Sequence, residues 1–289
     1  VGSSSAPTIT AGVGSLRIGA LYADTYGAVD LAGVSLATIG AQPIQIAGQY
    51  GVTLNNSNVE TGGPISIDSN QRISVSNSLI ASRVAGNPVT LDSSLSISVD
   101  SSTIESNGGD IRLAGYTLFA GPAGTANFAA AVAISGPGVG VSINSSVIDA
   151  QGGDISIGGA SDQLGGKGVA VAQSALYGAN ILLQGNALSL GGTGVELNSS
   201  ALSATQSIAL LGLGDATGVR IIGQNYTDGT STDLPALAVA GAIAPAFIQI
   251  YGEGRAAGSI GTDIDATQAD SVVPIVANGG ASVEVLGLS

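Results

Sequence analysis

Apolar residues recur at every second position over short runs along most of the chain. The runs are three to five residues long, consist mainly of Val, Ile and Leu, and are separated by Ser, Thr and Gly. A period of two is typical of β-strands with one buried face, and no stretch sustains the 3.6-residue period of a helix. The pattern therefore predicts an all-β protein made of many short strands.

One longer phrase returns three times, at residues 52–67, 97–113 and 141–157. Each copy has an alternating strand, a polar corner, a second short strand, a turn that contains Gly-Gly and a third strand. Such a unit can bury its apolar face only against a neighbouring copy, so the copies are expected to stack as a solenoid.

The spacing of the copies predicts the length of one coil. The copies begin 45 and 44 residues apart, and a weaker pair of strands, 73–75 and 89–91, lies about halfway between the first two. The predicted coil is therefore roughly 22 residues long. The strand after the turn is predicted ten times, at 16–18, 44–46, 65–67, 89–91, 111–113, 155–157, 181–183, 208–210, 248–250 and 283–285.

Longer intervals predict insertions that loop out of the stack, at about 116–140, 158–168 and 223–246. We expect a single β-solenoid domain over 1–289. A Greek-key sandwich also has short alternating strands, but it does not require one phrase to return in register. A propeller blade would fit the 44–45 spacing, yet not the copy at half that distance. The parallel β-helix is the fold that explains both.

Composition limits the chemistry that this chain can perform. It contains no Cys, Met, His or Trp, and it has 7 Lys and Arg against 20 Asp and Glu, for a net charge of −13. Disulfides, thiolate nucleophiles and cysteine metal sites are therefore excluded. The scattered basic residues disfavour nucleic acid and anionic membranes as partners. The uncharged segment 234–252 is interrupted by Pro235 and Pro245, so no membrane insertion is predicted.

The phrase Gly-Gly-Asp-Ile occurs at 108–111 and 152–155, and the second copy follows the polar corner at 143–146. These residues resemble the repeat region of filamentous-haemagglutinin-like exoproteins, which are bacterial surface proteins of the two-partner secretion route. The resemblance covers 29–213. It implies a right-handed parallel β-helix, export to the extracellular side of the bacterial surface, and roles in adhesion, aggregation, filaments or biofilm. A secretion signal would then be removed or lie upstream.

Two interpretations of the repeated corners remain open. The first is structural and non-enzymatic: a Gly-Gly-Asp corner uses the Asp side chain to accept backbone N–H bonds, and Asn at the strand end stacks as a ladder. The second is a carbohydrate-binding or carbohydrate-cleaving β-helix that uses Asp110 and Asp154, with Asp68 or Asp92 nearby, as acid and base. The structural reading predicts no catalytic residue. Its corner residues are Asn55, Asn144, Asn198, Gly108, Gly109, Asp110, Gly152, Gly153 and Asp154.

Other candidate sites lie outside the repeat phrase. Asp228 and Asp233 bring oxygens close together and are the best place to look for calcium, although a solvated turn explains the same loop. No cofactor is predicted. Aromatic residues in loops on a rigid scaffold are plausible contacts for sugars or proteins. The aromatic candidates are Tyr116, Phe119, Phe128 and Tyr226.

The first and last predicted strands bear on partners. Residues 281–289 still have the pattern of a coil, and no amphipathic helix precedes Leu16. A β-helix end of this kind leaves backbone N–H and C=O groups unpaired. We therefore expect either continuation of a longer rod or end-to-end self-association, with a host, neighbour-cell or polysaccharide receptor as a further partner.

Overall fold

The chain winds as a parallel β-helix with three strand-lined faces. A computed structural model describes residues 8–11, 14–20, 27–115, 138–225, 237–240, 246–265, 271–272 and 275–289, and every regular element in these ranges is a β-strand. Nearly all pairings are parallel and join consecutive coils. The predicted fold class is confirmed, while its right-handed sense stays a prediction from the family resemblance.

Face I is a ladder of nine parallel strands among the described residues. Its strands are Val29–Ala32, Val52–Asn55, Arg72–Ser76, Ser96–Asp100, Val139–Asn144, Lys167–Ala172, Thr193–Asn198, Thr217–Ile222 and Ile260–Asp265.

Face II follows face I in each coil. Its strands are Thr8–Ala11, Ser35–Thr38, Asn58–Thr61, Leu79–Ser82, Thr103–Ser106, Val147–Asp149, the first parts of Ala175–Ala187 and Ala201–Gly214, Leu237–Val239 and Ile275–Ala277. Beside it, Gln224–Asn225 pairs antiparallel with Ser271–Val272.

Face III contains all ten strands that the sequence predicts after the turn, paired in one continuous parallel ladder. Its strands are Leu16–Ala20, Ile44–Gly48, Ile65–Ser69, Val89–Ser93, Ile111–Gly115, Ile155–Ser161, the second parts of Ala175–Ala187 and Ala201–Gly214, Phe247–Gly254 and Ser282–Leu288.

The core is a set of apolar columns inside the three faces. In-register pairing places Ile44 over Ile65, Ile65 over Val89 and Val89 over Ile111, and all four side chains are at most 1% exposed. Each such residue contributes roughly 1.5–3 kcal/mol by leaving water. Because side chains alternate along a strand, the residues between them point outward, which explains the period of two in the sequence.

The 22-residue coil is confirmed where the repeat is regular. On face III, paired residues are 21, 24 and 22 positions apart between Ile44 and Ile111. The two spacings near 45 have different origins: Val52 and Ile97 are two coils apart, since Ile73 lies between them, whereas Ile97 pairs directly with Val141. The second spacing therefore holds one coil plus the chain of the first insertion.

The bounds of the predicted insertions differ from the observed connections. Of residues 158–168, the first four continue the strand Ile155–Ser161 and the last two begin Lys167–Ala172, so the connection is 162–166. Within 223–246, Leu237–Val239 forms a strand of face II. Residues 116–137, 226–236 and 241–245 lie outside the described ranges.

Candidate functional site

A buried serine ladder occupies the corner between faces I and II in six successive coils. The preceding residue has a φ of 47–53° in each coil, a left-handed conformation that turns the chain sharply. The serines are only 3–6% exposed. The left-handed residues are Asn56, Asn77, Ser101, Ser145, Gln173 and Ser199, and the serines are Ser57, Ser78, Ser102, Ser146, Ser174 and Ser200.

Each serine hydroxyl joins its own corner to the preceding coil. The Ser102 hydroxyl donates to the Asp100 carbonyl at 2.7 Å and accepts the Ser78 N–H at 3.1 Å. Across the ladder these bonds measure 2.6–3.0 Å within a corner and 3.0–3.3 Å between coils. Buried backbone N–H groups that ladder pairing alone would leave open are thereby satisfied. The sequence analysis missed this ladder, although Ser is the third residue of each of these six corners.

The asparagines Asn55, Asn144 and Asn198 share one register position at the end of face I, but they do not stack on one another. Other coils lie between them, so Ser76 donates to Asn55 Oδ1 at 3.2 Å and Asn144 Nδ2 donates to Asp100 Oδ1 at 2.7 Å. From Asn55 to Asn144 the column is a mixed ladder of hydroxyl, amide and carboxylate groups, and Ala172 separates Asn144 from Asn198.

The two Gly-Gly-Asp corners lie in adjacent coils, as the repeat predicts. Gly108 and Gly152 have φ values of 72° and 103°, which favour glycine. The second glycine of each pair lies against the previous coil: a Cβ on Gly153 would be 2.2 Å from the Gly109 carbonyl oxygen. The Gly-Gly pair is thus required by the turn and by the close approach of the backbones.

The corner aspartates accept hydrogen bonds from the following coil. Asp110 Oδ1 accepts the Asp154 N–H at 3.1 Å. Asp154 Oδ1 accepts both the backbone N–H of Asn180 at 3.2 Å and its side-chain amide at 2.8 Å. The predicted acceptor role therefore links consecutive coils, and both carboxylates are engaged in the stack.

A second pair of carboxylates lies on the outer surface of face III. Asp68 and Asp92 are paired in register, and Arg112 Nη1 of the next coil is 3.1 Å from Asp92 Oδ2. The Ser66 hydroxyl donates to Asp68 Oδ2 at 2.7 Å. Burial raises the pKa of Asp92; Arg112 opposes this shift and Asp68 adds to it. Asp92 Oδ1 is buried without a hydrogen-bond partner in the described part of the chain.

Four of the seven basic side chains form ion pairs between coils, and the basic residues do not gather in one patch. Arg83 contacts Glu60 at 3.0 Å and also Glu105, so it bridges the coils on either side. Arg220 lies 3.3 Å from Asp263. Exposed pairs of this kind each contribute roughly 0–1 kcal/mol, so they favour the coil register more than they stabilise the fold.

A groove of about 310 Å³ opens on the outside of face III. Asp154, Asn180 and Ser207 line one side, and a hydrogen bond of 2.6 Å joins the Ser207 hydroxyl to Asn180 Oδ1. Leu182 and Phe247 contribute apolar surface. The polar side of the groove is thus the continuation of the Gly-Gly-Asp column.

The last described coil exposes its core positions. Val283 and Val285 are 48% and 45% exposed, whereas their in-register neighbours Ile248 and Ile250 are fully buried. The strand Ser282–Leu288 pairs along one edge with Phe247–Gly254, and no other described strand covers its second edge. Within the described residues, this strand is therefore the last one of face III.

The remaining predicted candidates fall outside the described residues. These are the calcium candidates Asp228 and Asp233 and the loop aromatics Tyr116, Phe119, Phe128 and Tyr226. Within the described ranges no three Asp or Glu residues are grouped as a metal site would require. The same ranges contain no helix of the length and apolarity needed to cross a bilayer.

Comparisons with known proteins identify no family for this chain. No protein-family model, no curated protein and no solved structure matches the chain. The relation to filamentous-haemagglutinin-like exoproteins therefore stays a prediction that rests on the repeat phrase alone.

Proposed function

We propose that this chain is a non-enzymatic structural and adhesive element of the bacterial cell surface, either a segment of a secreted adhesin or a subunit of an extracellular filament. The proposal rests on one observation: the repeated polar residues form hydrogen bonds between neighbouring coils. The serine ladder and the Gly-Gly-Asp column both bond one coil to the next. The polar residues at the corners thus stabilise the stack of coils.

Such a stack acts by holding other surfaces at a distance. The ten strands of face III extend over nine coil steps, or about 43 Å at the usual spacing of neighbouring strands. Because each coil contacts only its neighbours, length can be added without changing the cross-section. Loops carried on this scaffold would contact a receptor on a host cell, a neighbouring cell or a polysaccharide.

Surface display tests the proposal. The chain would be displayed on a non-adherent bacterial strain, and autoaggregation and attachment would be measured against a strain that displays an unrelated β-helix at equal density. We expect the displayed chain to increase aggregation or attachment. Equal behaviour of the two strains at matched surface density would contradict the adhesive role.

Asp68 and Asp92 support a second candidate, the binding or cleavage of polysaccharide. The strands that carry them are neighbours, about 4.8 Å apart, so their carboxylates can reach the separation of about 5–5.5 Å used by retaining glycosidases. The pKa of Asp92 is raised, as a general acid requires. Release of reducing or unsaturated ends from bacterial and plant polysaccharides would be assayed with the native chain and Asp92→Asn. Release that the substitution abolishes would establish this activity, and release at the buffer rate would exclude it for the sugars assayed.

A further inference from the structure

We propose that the groove on the outside of face III binds an elongated amphiphilic amine, that is, a primary ammonium group carried on an unbranched apolar chain. The ammonium group lies at Asp154, and the chain extends across the coils towards Phe247. The groove volume of about 310 Å³ is that of a site for one small ligand. This binding role goes beyond the proposed structural function and does not depend on it.

The groove crosses four successive coils. One of its walls is a single register column: Asn180 pairs with Ser207, Ser207 pairs with Phe247, and Asp154 holds the same position in the coil before Asn180. Three coil steps separate the carboxylate end of this wall from its aromatic end, about 14 Å at the usual strand spacing. The ligand that fills the groove is therefore long and narrow.

The polar side chains of this wall have no hydrogen atom left to donate. Asn180 Nδ2 donates to Asp154 Oδ1 at 2.8 Å and to Gln206 Oε1 at 3.4 Å. The Ser207 hydroxyl donates to Asn180 Oδ1 at 2.6 Å. The lone pairs that remain on these side chains can only accept hydrogen bonds. The wall therefore recognises a ligand by the hydrogen atoms that the ligand donates.

Asp154 is a carboxylate without a cationic partner in the described part of the chain. The ion pairs of the described residues all use other carboxylates. Asn180 donates twice to Asp154 Oδ1, whereas no described group donates to Oδ2. An ammonium group supplies both the positive charge and the N–H donors, and charge-assisted bonds are stronger than neutral ones. This end of the groove thus favours a cationic head group.

The opposite wall departs from the polar pattern of its own column. The outward column that contains this wall is polar in the other coils, at Arg17, Gln45, Ser66, Thr90, Arg112, Ser156, Gln249 and Glu284. Leu182 and Ala209 interrupt this column, and both line the groove. They are not core residues, because core side chains occupy the alternate positions of each strand. An apolar ligand chain would shield them from water.

Phe247 is a second departure from the local pattern, at the far end of the groove. The same register position is Ser207 in the coil before and Ser282 in the coil after. The Phe247 side chain is half-buried and lines the groove. An apolar chain that begins at Asp154 and follows Leu182 and Ala209 would end against this ring.

Four probes test the ligand class on the native chain by isothermal titration calorimetry, each below its micelle-forming concentration. Decylamine has both features of the proposed ligand, and butylamine has the ammonium group on a short chain. Decanol and decanoate have the long chain with a neutral or an anionic head group. We expect decylamine to bind at least about tenfold more tightly than each of the other three, because each lacks either buried methylenes or the charged donor.

Each other result with these probes would overturn part of the proposal. Butylamine is the analogue of a lysine side chain, so equal affinity of butylamine and decylamine would assign the site to a lysine of a partner protein and remove the elongated ligand. Equal affinity of decanol or decanoate would remove the recognition of the ammonium group. No binding of any of the four would overturn the site.

Asp154→Asn tests the position of the head group. The substitution retains an oxygen that accepts from Asn180 and removes the charge, so decylamine should bind about tenfold more weakly and decanol as before. Asp110→Asn is the matched control, because Asp110 holds the same corner position one coil earlier and does not line the groove. Equal losses in both variants would show that decylamine responds to general negative charge, which would overturn the site.

Ala209→Leu tests the path of the apolar chain. The larger side chain fills the groove between Leu182 and Phe247, so the affinity for decylamine should fall about tenfold while the affinity for butylamine is retained. Thr90→Leu places the same side chain in the same outward column but outside the groove, and it should leave the affinity for decylamine unchanged. Equal affinities of the two variants for decylamine would overturn the proposed path.

Discussion

Early and late coils turn from face III to face I by different means at the same register position. In two early coils this position is Ser69 or Ser93, which are 4% and 2% exposed, whereas the coil before them has Gly48 there. In the late coils it is Gly185, Gly212 or Gly252. The serine ends a five-residue strand, whereas the glycine lies within a strand that continues for two more residues.

The serine and the glycine complete the turn from face III to face I in different ways. The Ser93 hydroxyl accepts the N–H groups of Leu95 and Ser96 at 3.2 and 3.0 Å, so a short turn is completed within the coil. A Cβ on Gly212 would lie 2.0 Å from the Gly218 carbonyl oxygen, because there the backbones of the two faces touch. A coil stack therefore tolerates different corners, provided that the register of the ladders is kept.

Replacing the glycine of a late coil with serine should have the largest effect on stability. Gly212→Ser places a Cβ against a backbone oxygen that cannot move without breaking two ladders. We expect a loss of about 3 kcal/mol or more in the free energy of unfolding, measured by urea denaturation. Gly138→Ser is the control, since Gly138 is exposed and nothing lies within 4 Å of its ideal Cβ. A similar, small cost at both positions would contradict the backbone contact.

The reverse exchange, Ser93→Gly, should have an intermediate effect. It removes the acceptor of two N–H groups in a buried corner, which costs about 1–3 kcal/mol. Ser94→Gly is the matched control: Ser94 is exposed, and its N–H bond to the Ser69 carbonyl is retained. The same urea measurement should show a larger loss for Ser93→Gly, and equal losses would assign the effect to glycine flexibility alone.

Asp92, in one of the early coils, should have a smaller effect on stability that depends on pH. Its raised pKa means that the folded state binds this proton more tightly than the unfolded state does. Ionisation above the folded pKa therefore lowers stability, and the penalty disappears below the ordinary value of 3.8. Asp92→Asn should raise the unfolding temperature near pH 7 and leave it unchanged near pH 3.

The exposed carboxylate Asp30 provides the control for general charge effects. Asp30→Asn reduces the net negative charge by the same amount, without the burial and the neighbouring Asp68 that act on Asp92. A gain at pH 7 that is equal for both variants would show that net charge, and not the local environment, is responsible.

The residues that predict the fold are those whose pattern is local. Alternation at 65–67 or 111–113 identifies a strand without knowledge of its neighbours, and the repeat phrase then fixes the coil. The serine ladder was missed because Ser also fills outward strand positions, such as Ser74 and Ser98. Only the stacking of coils distinguishes the buried serines from these half-buried outward ones.

The insertion predicted at 158–168 begins at the Gly158-Gly159 pair, because the interval to the next predicted strand is long. In the structure both residues lie within a strand, and a Cβ on Gly159 would be 2.2 Å from the Gly168 carbonyl oxygen. A glycine required by close backbone approach has the same local signature as a glycine required by a turn, and only the three-dimensional contact separates them.

Distances along one outward column of face I test the coil stack most directly. Paired cysteines at Thr53 and Ala170, and at Thr53 and Asp263, would carry spin labels for pulsed electron paramagnetic resonance. The two pairs are four and seven coil steps apart. The account predicts backbone separations of about 19 and 34 Å, in proportion to the number of steps. Distances that do not grow with the number of coil steps would contradict the parallel β-helix.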